Sequence, residues 1–173
     1  DKESGKMEEI VQILTLRNET ISTMESATGG FIANAITNVE GASEVFSFGA
    51  VTYSNFYKIK FGVSEEVIKK YSVYSMEVAH EMSSSIVNYT GSRYGIGITG
   101  KFNREDRFNQ FGDNRFVYIS VYDKVLDIYV DKRDYKSCSY SMAKIEMEIY
   151  KVREAADNLL EEIKDITLSE EKY

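Results

Sequence analysis

Proline is absent from the 173-residue chain, so every turn must be made by Gly, Asn, Asp or Ser, without the stiffening of a fixed φ. The single cysteine, Cys138, excludes an intramolecular disulfide framework and a cysteine-built metal cage. It fits a reducing compartment, taken here as the cytoplasm. The single histidine, His80, falls inside a helical pattern and away from any turn, which argues against a Ser-His-Asp triad. Long apolar runs are missing as well: none approaches the ~20 residues of a membrane span, and the first residues show no signal-peptide pattern. Positive charge is in deficit. A formal net charge of −7 argues against nucleic acid or an anionic membrane as the main partner, while leaving room for a local basic pocket. What remains is an ordinary globular composition, 43% hydrophobic and 28% charged, in a length that suits a single domain with its own core.

The expected elements follow from periodicity. Met7, Ile10, Val11 and Leu14 repeat at helical spacing, giving a first helix to about Leu16. A short buried strand is expected from Thr20 to Met24, then a helix over about Thr28 to Thr37 and a second strand from Val45 to Ser54. Asn55 to Phe61 reads as a short helical turn. Ser64 and Ser75 are placed to start two further helices, with acidic residues in their first turns. Tyr94 to Thr99, running into Gly100, is a third strand, and Lys101 to Gly112 a polar loop. Phe116 to Tyr122 and Val125 to Val130 make an expected antiparallel hairpin about Asp123-Lys124. A long amphipathic helix, with Met142, Ile145, Ile149, Val152, Ala156, Leu159 and Ile163 on one face, closes the chain. This alternation predicts one α/β domain over residues 1–173, with its core at about 7–166. It is a three-layer α/β/α arrangement around a mixed sheet.

Chemistry concentrates at the first strand's exit, Thr20-Ile-Ser-Thr-Met-Glu-Ser-Ala-Thr-Gly-Gly30. Ser26 lies where a strand turns into a helix, a place where backbone N–H groups and a helix dipole face outward. It reads either as an N-cap serine or as a nucleophile. A nucleophilic serine needs a base. With His80 set aside, a desolvated lysine is the remaining type, and Lys58 and Lys60 both follow the second strand. Cys138 has no base in view. Arg104 and Arg107 are interleaved with Glu105 and Asp106, as on a solvated mixed-charge loop.

Four segments together resemble the C-terminal domain family of the competence/damage-inducible CinA proteins, which includes stand-alone nicotinamide mononucleotide deamidases. They are Glu25-Ser26-Ala27-Thr28-Gly29-Gly30; Gly49 to Asn55 with Lys58 and Phe61-Gly62-Val63; Val73 to Ala79; and Gly97-Ile98-Thr99-Gly100. The likeness runs from about residue 7 to residue 122. It implies hydrolysis of a carboxamide, releasing nicotinic acid mononucleotide and ammonia, with Ser26 as nucleophile, Lys58 as its base and Tyr53 as a further active-site hydroxyl. Thr28, Gly29, Gly30, Asn55, Thr99 and Gly100 are then the substrate-binding positions. No metal or organic cofactor is implied, and a nucleotide substrate and a homodimer are. The chain departs from the family pattern at Ala27, where the family has cysteine. It departs again after Gly100, where Lys101-Phe102-Asn103-Arg104 stands in place of an Ala-Gly-Pro loop. A non-hydrolysing member that binds a nucleotide, or a regulator in a competence- or damage-linked assembly, is the alternative.

Overall fold

The computed structural model describes residues 2–101 and 116–135. In chain order the elements are α1 (Lys2–Arg17), β1 (Ile21–Glu25), α2 (Phe31–Thr37), a 3-10 turn (Ala42–Glu44), β2 (Gly49–Val51), α3 (Asn55–Lys60), α4 (Glu65–Tyr71), α5 (Met76–Thr90), β3 (Tyr94–Gly100), β4 (Phe116–Asp123) and β5 (Ile128–Tyr135). The five strands form one mixed sheet in the order β2-β1-β3-β4-β5. β1 runs parallel to both β2 and β3, while β3–β4 and β4–β5 are antiparallel.

Side chains alternate between the two faces, as strand geometry requires. Ile21, Tyr94, Ile96, Ile98, Val117, Ile119 and Val121 pack with Met7, Ile10, Leu14, Ile32 and Ile36 of α1 and α2. On the other face Met24, Ala50 and Tyr118 pack with Ile68, Val78, Ala79, Met82 and Ile86 of α4 and α5. The three-layer α/β/α arrangement with a mixed sheet is therefore present. The expected long C-terminal helix lies outside the described residues, as does the loop after Lys101.

Helix starts follow the serine pattern. Ser54, Ser64 and Ser75 cap α3, α4 and α5, accepting from the N–H groups of Tyr57, Val67 and Val78. Several boundaries differ from the sequence expectation, beginning with α1, which starts at Lys2 rather than Met7, and β5, which runs on to Tyr135 rather than ending at Val130. α2 begins at Phe31 rather than Thr28, because Gly29 and Gly30 hold left-handed conformations (φ 63° and 101°) that postpone the helix. The second strand keeps only Gly49–Val51. Val45 leaves the 3-10 turn and accepts the Ile21 N–H through its carbonyl (2.9 Å), and Ser54 is used as a cap. The hairpin has four residues between Asp123 and Ile128. Asp123 turns inward, where its two oxygens meet Arg93 (3.1 Å each), and Oδ1 also accepts from Val125 and Leu126 N–H. Arg93 reaches on to Glu19 (2.9 Å), so one guanidinium ties the α1–β1 connection to the hairpin.

α5 lies directly against β3. A Cβ at Gly95 would run into the Ser83 carbonyl, and one at Gly97 into the Ala79 carbonyl and, at 2.7 Å, the Ser83 nitrogen. The obstacle is helix backbone, so relief requires moving α5. Gly97→Ala is expected to destabilise the fold by about 1–3 kcal/mol or more, the usual penalty for overpacking; a urea midpoint equal to the parent's would contradict this close seating.

The hairpin carries a titratable contact. Tyr122 donates to Asp127 Oδ1 at 2.7 Å. That hydrogen bond, then burial, then the negative charge of Asp127 push its phenol from 10 up to about 12. A folded-state value above the unfolded one favours the neutral phenol in the fold. The contribution is complete below pH 10 and is lost as pH climbs toward about 12. Ring-carbon NMR titration should show a tyrosine ionising near 12 that disappears in Tyr122→Phe and moves down toward 10 in Asp127→Asn.

Candidate active site at the switch point of the sheet

β1 is flanked by β2 on one side and β3 on the other, and the connection through α2 lies on one face while that through α4 and α5 lies on the opposite face. The chain thus reverses direction of travel at the C-terminal end of β1, where open α/β sheets form their crevices. Ser26 is the first residue past that end. Its N–H donates to the Ile98 carbonyl of β3 (3.1 Å) and its carbonyl accepts from Gly29 N–H (3.0 Å). It is 8% exposed.

Lys58 comes to the same place from α3. Of that helix's residues Lys58 is the buried one, 2% exposed, whereas Phe56 and Tyr57 are 66% and 51% exposed. The amine Nζ sits 3.0 Å from Ser26 Oγ and donates to the Thr52 carbonyl at 2.6 Å. Lys60, the other lysine weighed from sequence, is exposed with its amine 5.9 Å from the Phe56 ring centroid. The two candidate lysines, two residues apart, fall on opposite sides of α3: Lys58 faces the serine and Lys60 faces solvent.

Other sequence-selected positions are distributed differently. Tyr53 is 69% exposed at the rim, just before the Ser54 cap. Asn55 opens α3 in a half-buried position. Thr99 is buried, and its hydroxyl donates to the Val73 carbonyl (2.7 Å), which fastens β3 to the segment leading into α5. Gly100 is buried where a Cβ would lie 3.2 Å from Val117 Cα. Thr28 donates its hydroxyl to Glu25 Oε1 at 2.8 Å. Gly29 and Gly30 make the left-handed turn.

Ser26 is not the cap of α2. Gly30 holds the N-cap position without a side-chain bond, and the carboxylate of Glu25 takes over the capping. Glu25 is fully buried; its Oε1 accepts from Ile32 N–H (2.8 Å) and its Oε2 from Ala33 N–H (3.0 Å). A carboxylate at a helix N-terminus satisfies orphan donors and the dipole together. The helix end read from sequence as open to a ligand is therefore occupied by the protein's own anion. Among the described residues, the backbone N–H groups of Ala27, Thr28 and Gly30 have no acceptor. Glu25 was the residue that sequence reasoning left without a role. The available signal was an acidic residue at the end of a short strand otherwise free of charge, immediately before Ser26.

His80 meets Asp131 of β5 and stacks on Tyr129, with ring centroids 4.3 Å apart, as a packing residue between α5 and the sheet edge. No group of three or more acidic, cysteine or histidine side chains able to hold a metal occurs among the described residues. No helix among them is long and apolar enough to cross a membrane.

Comparison with known proteins gives this geometry a context. Residues 3–107 match the model of the CinA C-terminal domain. A Clostridium botulinum (strain Langeland) sequence whose name places it with the competence-damage inducible proteins is 46% identical over 99 residues, covering 57% of this chain and 24% of its own. The chain thus spans about a quarter of the length of that relative. Among solved structures, the competence/damage inducible protein CihA from Agrobacterium tumefaciens superposes with a TM-score of 0.78 at 22% identity, covering 92% of this chain and 94% of its own. A CinA superfamily protein from Klebsiella pneumoniae gives a TM-score of 0.75 at 20% identity, over 94% and 99% of the two chains. These structures speak for the fold, and the family model speaks for descent. The chain belongs to the CinA C-terminal domain family.

Proposed function

We propose that the chain is an amidohydrolase in which Ser26 is the nucleophile and Lys58 its base. The substrate class is a pyridine-nucleotide carboxamide, with nicotinamide mononucleotide as the compound to test. The observation that carries the reading is the buried contact of Lys58 Nζ with Ser26 Oγ at 3.0 Å. Burial disfavours the charged form of an amine and leaves its lone pair able to accept a proton. The Thr52 carbonyl engages one amine hydrogen and so orients that lone pair. The choice of substrate comes from the family likeness alone.

The steps balance as a simple hydrolysis. Ser26 Oγ attacks the carboxamide carbon while Lys58 takes the hydroxyl proton. Collapse of the tetrahedral intermediate breaks the C–N bond, and Lys58 returns the proton to the departing ammonia. Water, deprotonated by the same amine, then cleaves the ester to give the carboxylic acid and restore Ser26. The N–H groups of Ala27 and Thr28 are the backbone donors closest in sequence to the nucleophile for the developing oxyanion. The scheme uses no metal or organic cofactor.

The test is ammonia release from nicotinamide mononucleotide by the parent, Ser26→Ala and Lys58→Met. Turnover by the parent and a loss of about 1,000-fold or more in each variant are expected for residues that act as one unit. A parent that releases no ammonia rules out the substrate, and a variant that keeps full activity rules out the pair.

A further inference from the structure

We propose that Glu25 is a positioning residue for the nucleophile, aligning Ser26 with Lys58 through a closed ring of bonds; this rests on the Ser26–Lys58 reading above. The ring can be followed atom by atom. The Glu25 carbonyl accepts the Thr52 N–H (2.8 Å), and the Thr52 carbonyl accepts Lys58 Nζ (2.6 Å). Lys58 Nζ meets Ser26 Oγ (3.0 Å), and Ser26 is joined to Glu25 by a peptide bond. A shift of Glu25 therefore displaces the nucleophile and the carbonyl that holds its base together.

What prevents that shift is the Glu25 side chain. Its two oxygens hold three donors: the Ile32 and Ala33 N–H groups at the start of α2, and the Thr28 hydroxyl in the middle of the turn. Ser26 to Gly30 is thus a loop closed at its base by one carboxylate and pinned halfway along by the same group.

An ordinary cap would serve α2 at less cost. A serine or asparagine at the N-cap position satisfies an N–H group without burying a charge. Here Gly30 occupies that position, and the acceptor reaches in from five residues earlier, on the strand that delivers the nucleophile. Helix capping alone does not call for that placement. A serine that must stay within hydrogen-bond reach of a buried lysine does.

Two variants separate positioning from general stability. Glu25→Gln offers one acceptor oxygen in place of two and turns an amide NH2 toward a backbone N–H. Thr28→Val removes the mid-loop bond and leaves both backbone bonds of the carboxylate in place. Each is measured for kcat and KM on nicotinamide mononucleotide, for the rate of Ser26 labelling by a small fluorophosphonate, and for folded fraction by circular dichroism. A misplaced nucleophile predicts a kcat and a labelling rate, per folded molecule, lower by about 100-fold in Glu25→Gln and about tenfold in Thr28→Val, with KM within about threefold of the parent. Thr28→Ser, which restores the hydroxyl, should recover the labelling rate. A folded variant of either kind that labels at the parent rate overturns the inference. Should Glu25→Gln not fold, Thr28→Val decides alone. A parent that labels at Ser26 but releases no ammonia refutes the substrate only, and the labelling comparison still decides the role of Glu25. A parent whose Ser26 is not labelled removes both.

Discussion

A lysine amine taken out of water must find polar partners, and Lys58 finds them at the ends of two neighbouring strands. The Thr52 carbonyl lies just past β2 and the Ser26 hydroxyl just past β1. Those ends meet only because β1 and β2 run parallel in register, Glu25 opposite Val51. The register in turn needs α2 to cover one face and α4 with α5 the other, so that β1, every residue of it buried, is closed off from water. The site is thus a consequence of the sheet's parallel half. The antiparallel strands β4 and β5 extend the sheet beyond β3.

The same logic explains why the α2 terminus does not serve as an anion cradle. A helix end in a crevice attracts negative charge, but here Glu25 already supplies it from the neighbouring strand. On the reading proposed above, an oxyanion at Ser26 is left the N–H groups of the turn itself, at Ala27, Thr28 and Gly30, because those of Ile32 and Ala33 are already taken by Glu25. Glycines at 29 and 30 make that division geometrically available. Their left-handed conformations swing the turn away from the helix axis, so that the two sets of donors belong to different segments.

Most of the fold was legible because its signals are local. Serine caps marked α3, α4 and α5, and alternating apolar residues marked β3 and β4. The errors fell where a long-range contact overrode local preference. β2 is short because Val45 and Ser54, both acceptable strand residues, are taken up by the Ile21 backbone bond and the α3 cap. The hairpin turn is displaced because Asp123 is drawn inward by Arg93, thirty positions away. For the site, Ser26 was marked by its motif, but the roles of Glu25 and Thr99 depend on partners at Ile32, Ala33 and Val73, which no spacing rule connects.

Helix α3 is the clearest case of local pattern yielding to chemistry. A six-residue segment with Phe56, Tyr57 and Ile59 would by hydrophobicity alone turn those residues inward. Instead the lysine is inside, and all three apolar residues are at least 37% exposed. Burying a lysine while exposing two aromatic rings costs stability, and a short surface helix with only its own packing to satisfy would relax to the opposite rotation. What holds it is the Ser54 cap at one end, the Val63 N–H bonded to the Lys58 carbonyl (2.9 Å) at the other, and the Thr52 carbonyl on the amine itself. A helix rotated against its hydrophobic preference and held there by three separate bonds is an expense explained by the position of one nitrogen. That nitrogen lies against the serine at the end of β1.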